Sequence, residues 1–196
     1  MSKIVTCPEC GTKYDITVTP TNPTPKSNYL WILDNGHGGI IDGVYQTAGK
    51  RSPVWPDGTQ LFEGEFNRAI VDRLVKMCKE AGIECVNLVD TQDGFGEEQA
   101  NGWSVYPSEG ETKSDKIATI LAGKAAAEFP DEYMRKDTSD GDVDKEANFW
   151  VLRKTVMPAI LSENFFMTNS SNCHTYLLSE EGRDRIAKIH FEMIQE

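Results

Sequence analysis

Three side chains that can bind a metal or move a proton lie at the ends of predicted elements: His37, Glu63 and Glu163. A histidine and a carboxylate suit a catalytic zinc, and a carboxylate that does not bind the metal can take a proton from water. Simpler roles also fit two of these residues. A tight loop can contain a histidine such as His37, and Glu63 would favour the dipole of a helix that begins there. The residue types alone therefore leave catalysis and purely structural roles both open.

The elements around His37 and Glu63 are predicted from hydrophobic patterns. Residues 29–32 form an aromatic and β-branched run that indicates a buried strand, and the glycine-rich turn after it carries His37. Glycines on both sides of this histidine leave room for a ligand near the backbone. From Glu63 to Gly82 the apolar residues recur every three or four positions, which predicts a helix, and residues 83–89 alternate as a second strand.

The second half of the chain contains further predicted elements. Strands are predicted at residues 103–106, 149–153 and 159–162, and helices at residues 113–129 and 179–194. The last strand runs directly into Glu163. Strands and helices in this order predict an α/β sheet, and ligands bind at the strand ends of such a sheet. We therefore expect the three candidate residues to converge at one edge of the sheet.

Composition limits the functions that this chain can have. Its 196 residues suffice for one sizeable domain with a small appendage. The net charge of -11 argues against nucleic acid or an anionic membrane as a partner, because phosphates are bound by clustered Lys and Arg. No apolar run is long enough to cross a bilayer, and the first residues lack the apolar segment of a signal peptide. The five cysteines do not form a disulfide framework, and Cys78 and Cys85 are expected to be small core residues.

The first 27 residues are expected to form an arm that precedes a domain of residues 28–196. Cys7 and Cys10 have the Cys-x-x-Cys spacing of a zinc knuckle, but no second such pair follows, so they bind nothing or join another chain. Residues 17–26 contain three prolines and almost no apolar side chains, which predicts an extended linker. A protein partner could bind through this arm.

Three segments resemble the zinc-dependent N-acetylmuramoyl-L-alanine amidases: LDNGHGG at residues 33–39, EGEFN at residues 63–67 and PAILSENFFMTN at residues 158–169. The resemblance covers most of the chain from about Tyr29 to the end, and the last segment is the most specific. Residues 149–153 also resemble the strand that precedes this segment in the family. The resemblance implies an amidase fold, in which a mostly parallel central sheet is flanked by helices.

The resemblance also implies roles for the candidate residues. His37 would be one zinc ligand and Glu63 the second, because the family's helix opens with a ligand Glu four residues before an Asn, here Asn67. Glu65 is the fallback for the second ligand. Glu163 would be the general base that activates water to attack the amide between N-acetylmuramic acid and L-alanine in peptidoglycan. Zinc would polarise the carbonyl group and stabilise the oxyanion.

The chain departs from this family at the third zinc ligand. Amidases of this kind take that ligand from a Ser-x-His sequence at the end of a central strand, yet no histidine occurs between His37 and His174 here. The family pattern resumes near Ala100, so we expect the segment with the ligand to be missing between about residues 90 and 100. Neither His174 nor His190 is expected to replace it. With two ligands, zinc should bind more weakly and position its water less well.

Three functions follow from this resemblance and its gap. The leading one is a peptidoglycan amidase, which the intact segment around Glu163 favours. The missing ligand favours a degenerate amidase fold that binds wall peptide or a protein partner without hydrolysis, and a zinc-bound water could also hydrolyse another amide. The lack of a signal peptide fits a phage lysin or particle component that stays in the cytoplasm until release, or export by another route. The negative charge predicts weak adhesion to an anionic wall, so the arm or a partner would anchor the chain.

Overall fold

The computed structural model describes residues 2–6, 13–17, 29–88, 102–110, 112–138, 141 and 143–196. The strands are β1 (Ser2–Thr6), β2 (Lys13–Thr17), β3 (Trp31–Asp34), β4 (Ile40–Ile41), β5 (Val44–Tyr45), β6 (Cys85–Leu88), β7 (Trp103–Tyr106) and β8 (Leu161–Asn164). The helices are α1 (Glu63–Ala81), α2 (Lys113–Glu128), α3 (Trp150–Lys154), α4 (Ser170–Asn172) and α5 (Glu180–Gln195), and a π-helical segment, Cys173–Leu178, follows α4. This mixture confirms the predicted α/β class.

The strands pair in twos within the described residues. β3 and β6 are parallel, with Trp31 opposite Cys85, and the connection between them contains α1. β7 and β8 are antiparallel, with Ser104 opposite Glu163. The parallel arrangement expected for most of the sheet therefore holds for β3 and β6, whereas the pair that carries Glu163 is antiparallel. β1 with β2 and β4 with β5 form further antiparallel pairs.

Three long helices surround the core, and α5 packs against both α1 and α2. α1 buries one face, as its period predicts, through Gly64, Phe66, Ile70, Val71, Leu74 and Cys78. Gly82 ends this helix in a left-handed conformation with φ of 70°, and its N–H approaches the carbonyl oxygens of Cys78 and Lys79. Cys78 is fully buried and Cys85 is partly buried against the core, as predicted.

Polar side chains begin the other two long helices. Thr112 and Asp115 form a capping box at the start of α2. The Thr112 hydroxyl accepts a hydrogen bond from the N–H of Ser114, and the Asp115 carboxylate accepts one from the N–H of Thr112. Ser179 accepts a hydrogen bond from the N–H of Gly182 at 2.9 Å and so caps α5. Both helices thus begin where the sequence predicts.

The strand predicted at residues 149–153 is wrong, because Trp150–Lys154 forms the short helix α3. The N–H of Arg153 donates to the carbonyl oxygen of Phe149, which is a helical bond. Phe149 is 39% exposed, and Leu152 is the buried residue of this helix. A short apolar run cannot be assigned to strand or helix by periodicity alone.

The structure also moves the boundaries of two strands. β8 begins at Leu161, two residues later than predicted, so Glu163 lies within a strand rather than after it. β6 likewise begins at Cys85. The Cys7 and Cys10 pair, most of the predicted linker and the gap near residues 90–100 lie outside the described residues, and the boundary between arm and domain stays a prediction. No helix in the described ranges combines the length and hydrophobicity that a membrane span requires.

Candidate active site

His37 lies in the turn after β3 and has a left-handed backbone conformation, with φ of 65°. This conformation is uncommon for a residue with a Cβ and costs about 1 kcal/mol or more, so the surrounding contacts must hold it. The N–H of Gly36 donates to Asp34 Oδ1 at 3.0 Å, and the N–H of Gly38 donates to Thr47 Oγ1 at 2.6 Å. These bonds fix the turn and therefore the position of the imidazole.

Glu63 is the first residue of α1, as the sequence predicts, and the glycine after it lets the helix approach the His37 turn. A Cβ at Gly64 would lie 2.4 Å from the carbonyl oxygen of Gly38 and 2.7 Å from that of His37. No side chain fits in this space. The N–H of Gly64 donates to Tyr45 Oη at 3.0 Å, which satisfies one of the backbone donors that a helix start leaves free.

His37 and Glu63 contact each other directly, and we call them the donor pair. His37 Nε2 lies 3.0 Å from Glu63 Oε1, and the two side chains are 16% and 21% exposed. Lys50 approaches the same carboxylate, with its Nζ 3.8 Å from Glu63 Oε2. Glu65, the fallback ligand, instead forms two hydrogen bonds with the guanidinium of Arg183, at 3.0 and 2.8 Å. The geometry therefore favours Glu63 over Glu65 as the partner of His37.

Glu163 on β8 lies in the electrostatic field of the donor pair. Burial raises the pKa of its carboxyl group, and the negative charge of Glu63 raises that pKa further. Lys50 and Arg135 lower this pKa, because their positive charges favour the carboxylate, and the nearby imidazole of His37 lowers it too. Such interactions fall off with distance, so they indicate that the structure brings the three residues of the sequence prediction into one region.

The donor pair fits two positions of a zinc site. With bond lengths of ~2.0–2.1 Å, two donors on one tetrahedral zinc stand about 3.3 Å apart, close to the 3.0 Å between His37 and Glu63. Glu63 Oε2 is buried without a hydrogen-bond partner, so a cation bound there would offset its loss of hydration. In the part of the chain that the structure describes, no group of three His, Cys, Asp or Glu side chains could hold a metal. The pair therefore offers two of the donors that a zinc ion would need.

The other two histidines have different partners. His174 Nε2 lies 3.4 Å from Asp57 Oδ2. His190 is half-buried on α5, where its Nε2 lies 2.9 Å from Ser162 Oγ. As far as the described residues extend, neither histidine joins the donor pair in a metal-binding group.

Sequence reasoning missed Lys50 and Arg135 as members of this region. Both lie in stretches without a helical or strand period, and a basic residue in such a stretch is usually exposed. No local pattern in the sequence distinguishes them from the other lysines and arginines. Their role becomes visible only from the side chains that they approach in the fold.

A carboxylate near an imidazole–carboxylate pair in an α/β fold is an arrangement typical of hydrolases that activate water. The sequence model of the N-acetylmuramoyl-L-alanine amidase family matches residues 92–196, and the chain belongs to this family of peptidoglycan amidases. The matched range includes Glu163 but neither member of the donor pair.

Solved structures of such amidases share the fold. AmiC2 of Nostoc punctiforme is 21% identical with a TM-score of 0.61, over 84% of this chain and 94% of its own. An amidase from Clostridium difficile 630 is 20% identical with a TM-score of 0.62, over 85% and 94%. The CwlD amidase from Clostridioides difficile, solved in complex with the GerS lipoprotein, is 17% identical with a TM-score of 0.62, over 86% and 97%. The uncharacterized protein YqiI of Bacillus subtilis is 23% identical over 91% of this chain and 89% of its own length.

Proposed function

We propose that this chain hydrolyses the amide bond between N-acetylmuramic acid and L-alanine in peptidoglycan, with zinc as its cofactor. The observation that carries the proposal is the contact of 3.0 Å between His37 Nε2 and Glu63 Oε1, in whose electrostatic field Glu163 lies. A candidate base thus lies beside two zinc donors in a chain of the amidase family.

His37 and Glu63 would hold the zinc ion, which when bound polarises the scissile carbonyl group and lowers the pKa of water. Glu163 takes the proton of the attacking water. Burial raises the pKa of this carboxyl group, which makes it a stronger base, while Lys50 and Arg135 oppose the shift. The same carboxyl group then gives the proton to the amide nitrogen, and the peptide leaves with a free L-alanine amino group.

Attachment to the wall is the second part of the proposal. The net charge of -11 weakens adhesion of the chain to an anionic wall, but it does not prevent the purified protein from acting on sacculi in an assay. We assign lasting attachment to a protein partner that binds the arm of residues 1–27. CwlD, an amidase of this fold, was solved in complex with a lipoprotein, and this complex supports attachment through a protein partner.

The test uses purified sacculi and the full chain, first stripped of metal and then loaded with zinc. We expect the loaded protein to release peptides that begin with L-alanine, without new reducing ends, and a chelator to stop the release. In a chain that also carries Cys7→Ser and Cys10→Ser, so that the arm binds no zinc, Glu63→Gln should abolish both zinc binding and release. The matched control is Glu65→Gln, two positions along α1, which loses only the pair with Arg183 and should keep both. A zinc-loaded, folded chain that releases no peptide would contradict the proposal.

The number of zinc donors favours a second candidate function, a module that binds wall peptide without cutting it. The described residues supply two donors, while a catalytic zinc ordinarily has three protein ligands. In that case the chain would sediment with sacculi and release nothing, with or without zinc. The same assay therefore separates the two functions.

A further inference from the structure

Lys50 is a buried lysine that faces a candidate zinc ligand. Its side chain is 11% exposed, although lysine is rarely buried without a charged partner. That partner is Glu63, whose Oε2 lies 3.8 Å from Lys50 Nζ. The distance exceeds that of a hydrogen bond, so the contact is an ionic interaction.

The two oxygens of the Glu63 carboxylate have different neighbours. Oε1 lies 3.0 Å from His37 Nε2, whereas Oε2 has no hydrogen-bond partner among the described residues and lies 3.8 Å from the ammonium group of Lys50. A cation that binds between His37 and Glu63 would therefore come close to a positive charge that is already inside the site. Like charges at short range repel strongly where water is largely excluded.

We propose that Lys50 is an internal counter-ion that competes with zinc for Glu63. Without metal, its ammonium group neutralises the buried carboxylate. When zinc binds, the same group repels the dication and lowers the affinity of the site. The inference rests on the proposed function in one respect, that His37 and Glu63 are zinc donors.

The backbone contacts of Lys50 allow its charge to be removed without removing the loop. Its N–H donates to the carbonyl oxygen of Thr47 at 3.3 Å, and its carbonyl oxygen accepts from the N–H of Glu63 at 3.0 Å. Neither bond involves the side chain. Lys50→Met keeps an unbranched apolar stem in the buried space and removes only the ammonium group.

The experiment compares the zinc dissociation constants of the full chain and two variants, measured by competition with a chromophoric chelator. All three proteins carry Cys7→Ser and Cys10→Ser, so that the arm binds no zinc. The matched control is Lys76→Met, an exposed lysine about 20 Å from Glu63 along α1, where screening by salt is nearly complete.

We expect Lys50→Met to bind zinc at least about tenfold more tightly, while Lys76→Met stays within about twofold of the parent. Equal or weaker binding by Lys50→Met, or no binding by any of the proteins, would overturn the proposal. If circular dichroism shows that Lys50→Met is unfolded, Lys50→Gln is measured against the same expectation.

Peptide release from sacculi is measured on the same proteins to separate this inference from the proposed function. Tighter zinc binding without release would contradict the amidase activity and support the role of Lys50. Release with unchanged zinc affinity would contradict the role of Lys50 and support the amidase.

Discussion

The two sides of the candidate site are held by different kinds of structure. Glu163 belongs to a regular strand that is paired with β7, and its neighbours Ser162 and Asn164 are hydrogen-bonded to other elements. The donor pair of His37 and Glu63 instead depends on a turn with one left-handed residue and on the close approach of a helix start. Glu163 thus has a rigid support, whereas His37 and Glu63 depend on loop geometry and charge.

The support of Glu163 is a chain of hydrogen bonds with a defined direction. Trp103 Nε1 donates to Asn164 Oδ1 at 2.8 Å, and Asn164 Nδ2 donates to Ser162 Oγ at 3.3 Å. The Ser162 hydroxyl lies 2.9 Å from His190 Nε2, and His190 Nδ1 lies 2.8 Å from the carbonyl oxygen of Ile186. Because a carbonyl oxygen only accepts, Nδ1 carries the proton and Nε2 accepts from the hydroxyl. Burial lowers the pKa of His190, which agrees with a neutral ring.

The donor side leaves more of its polar atoms without such support. His37 Nδ1 and Glu63 Oε2 are buried and have no hydrogen-bond partner among the residues that the structure describes. Within the described residues, this side is therefore the one that a bound cation would change most, while the strand with Glu163 would stay as it is. The comparison teaches that Glu163 and the donor pair are held in place by separate sets of contacts.

Glu163→Gln should have the largest effect of all the substitutions. It should lower activity and raise stability. Loss of the base should reduce peptide release by about 10²–10⁴-fold. The free energy of unfolding at neutral pH should rise, because an amide replaces a carboxylate that loses hydration on burial. The folded-state pKa of Glu163 is raised, so the parent loses stability as the pH rises from the unfolded-state pKa through the folded-state pKa.

Urea unfolding of the parent and Glu163→Gln at a series of pH values measures this difference. The gain in stability from Glu163→Gln should be absent below the unfolded-state pKa and complete above the folded-state pKa. Full activity of the variant would show that Glu163 on β8 is not the general base, and the contrast between a strand-held base and loop-held donors would be wrong.

Gly64→Ala tests the donor side through its backbone. The new Cβ would collide with the carbonyl oxygens of Gly38 and His37, so we expect a loss of about 1–3 kcal/mol in the free energy of unfolding and weaker zinc binding. The matched control is Gly123→Ala in α2, where the structure leaves open space around the new Cβ and helix propensity predicts a gain of about 0.5–1 kcal/mol. Equal effects of the two substitutions in urea unfolding would refute the close packing of α1 on the turn.

Ser162→Ala and His190→Phe test the hydrogen bonds that support the strand with Glu163, β8. Each single change leaves a partly buried polar group without its partner and should cost about 0.5–1.5 kcal/mol. The double variant should cost less than the sum, because the two residues share one hydrogen bond. Zinc affinity should remain at the parental value in all three variants. Additive losses, or a change in zinc affinity, would show that the two sides are not separate.

Much of the helical structure was predictable because its determinants are local. The period of α1, its end at Gly82 and the cap of α5 at Ser179 depend on residues within one or two turns of each other. The strand predicted at residues 149–153 failed because an apolar run of that length fits a helical turn equally well.

The candidate site was predictable in its residue types but less so in its contacts. Glycine-rich and helix-start motifs marked His37 and Glu63, and the structure places these side chains 3.0 Å apart. The roles of these residues and of Glu163 stay predictions. Lys50 carries no motif and could not be recognised before its distance to Glu63 was known.

The sequence by itself determined the long helices, the class of fold and the residue types available for chemistry, because patterns between near neighbours decide whether a segment can bury one face. Only the tertiary structure decided which polar atoms meet. Lys50 and Glu63 are brought together by a loop, and Ser162 and His190 by the packing of α5 behind β8. Such contacts depend on how separate elements pack, and no pattern within either segment encodes the distance between them.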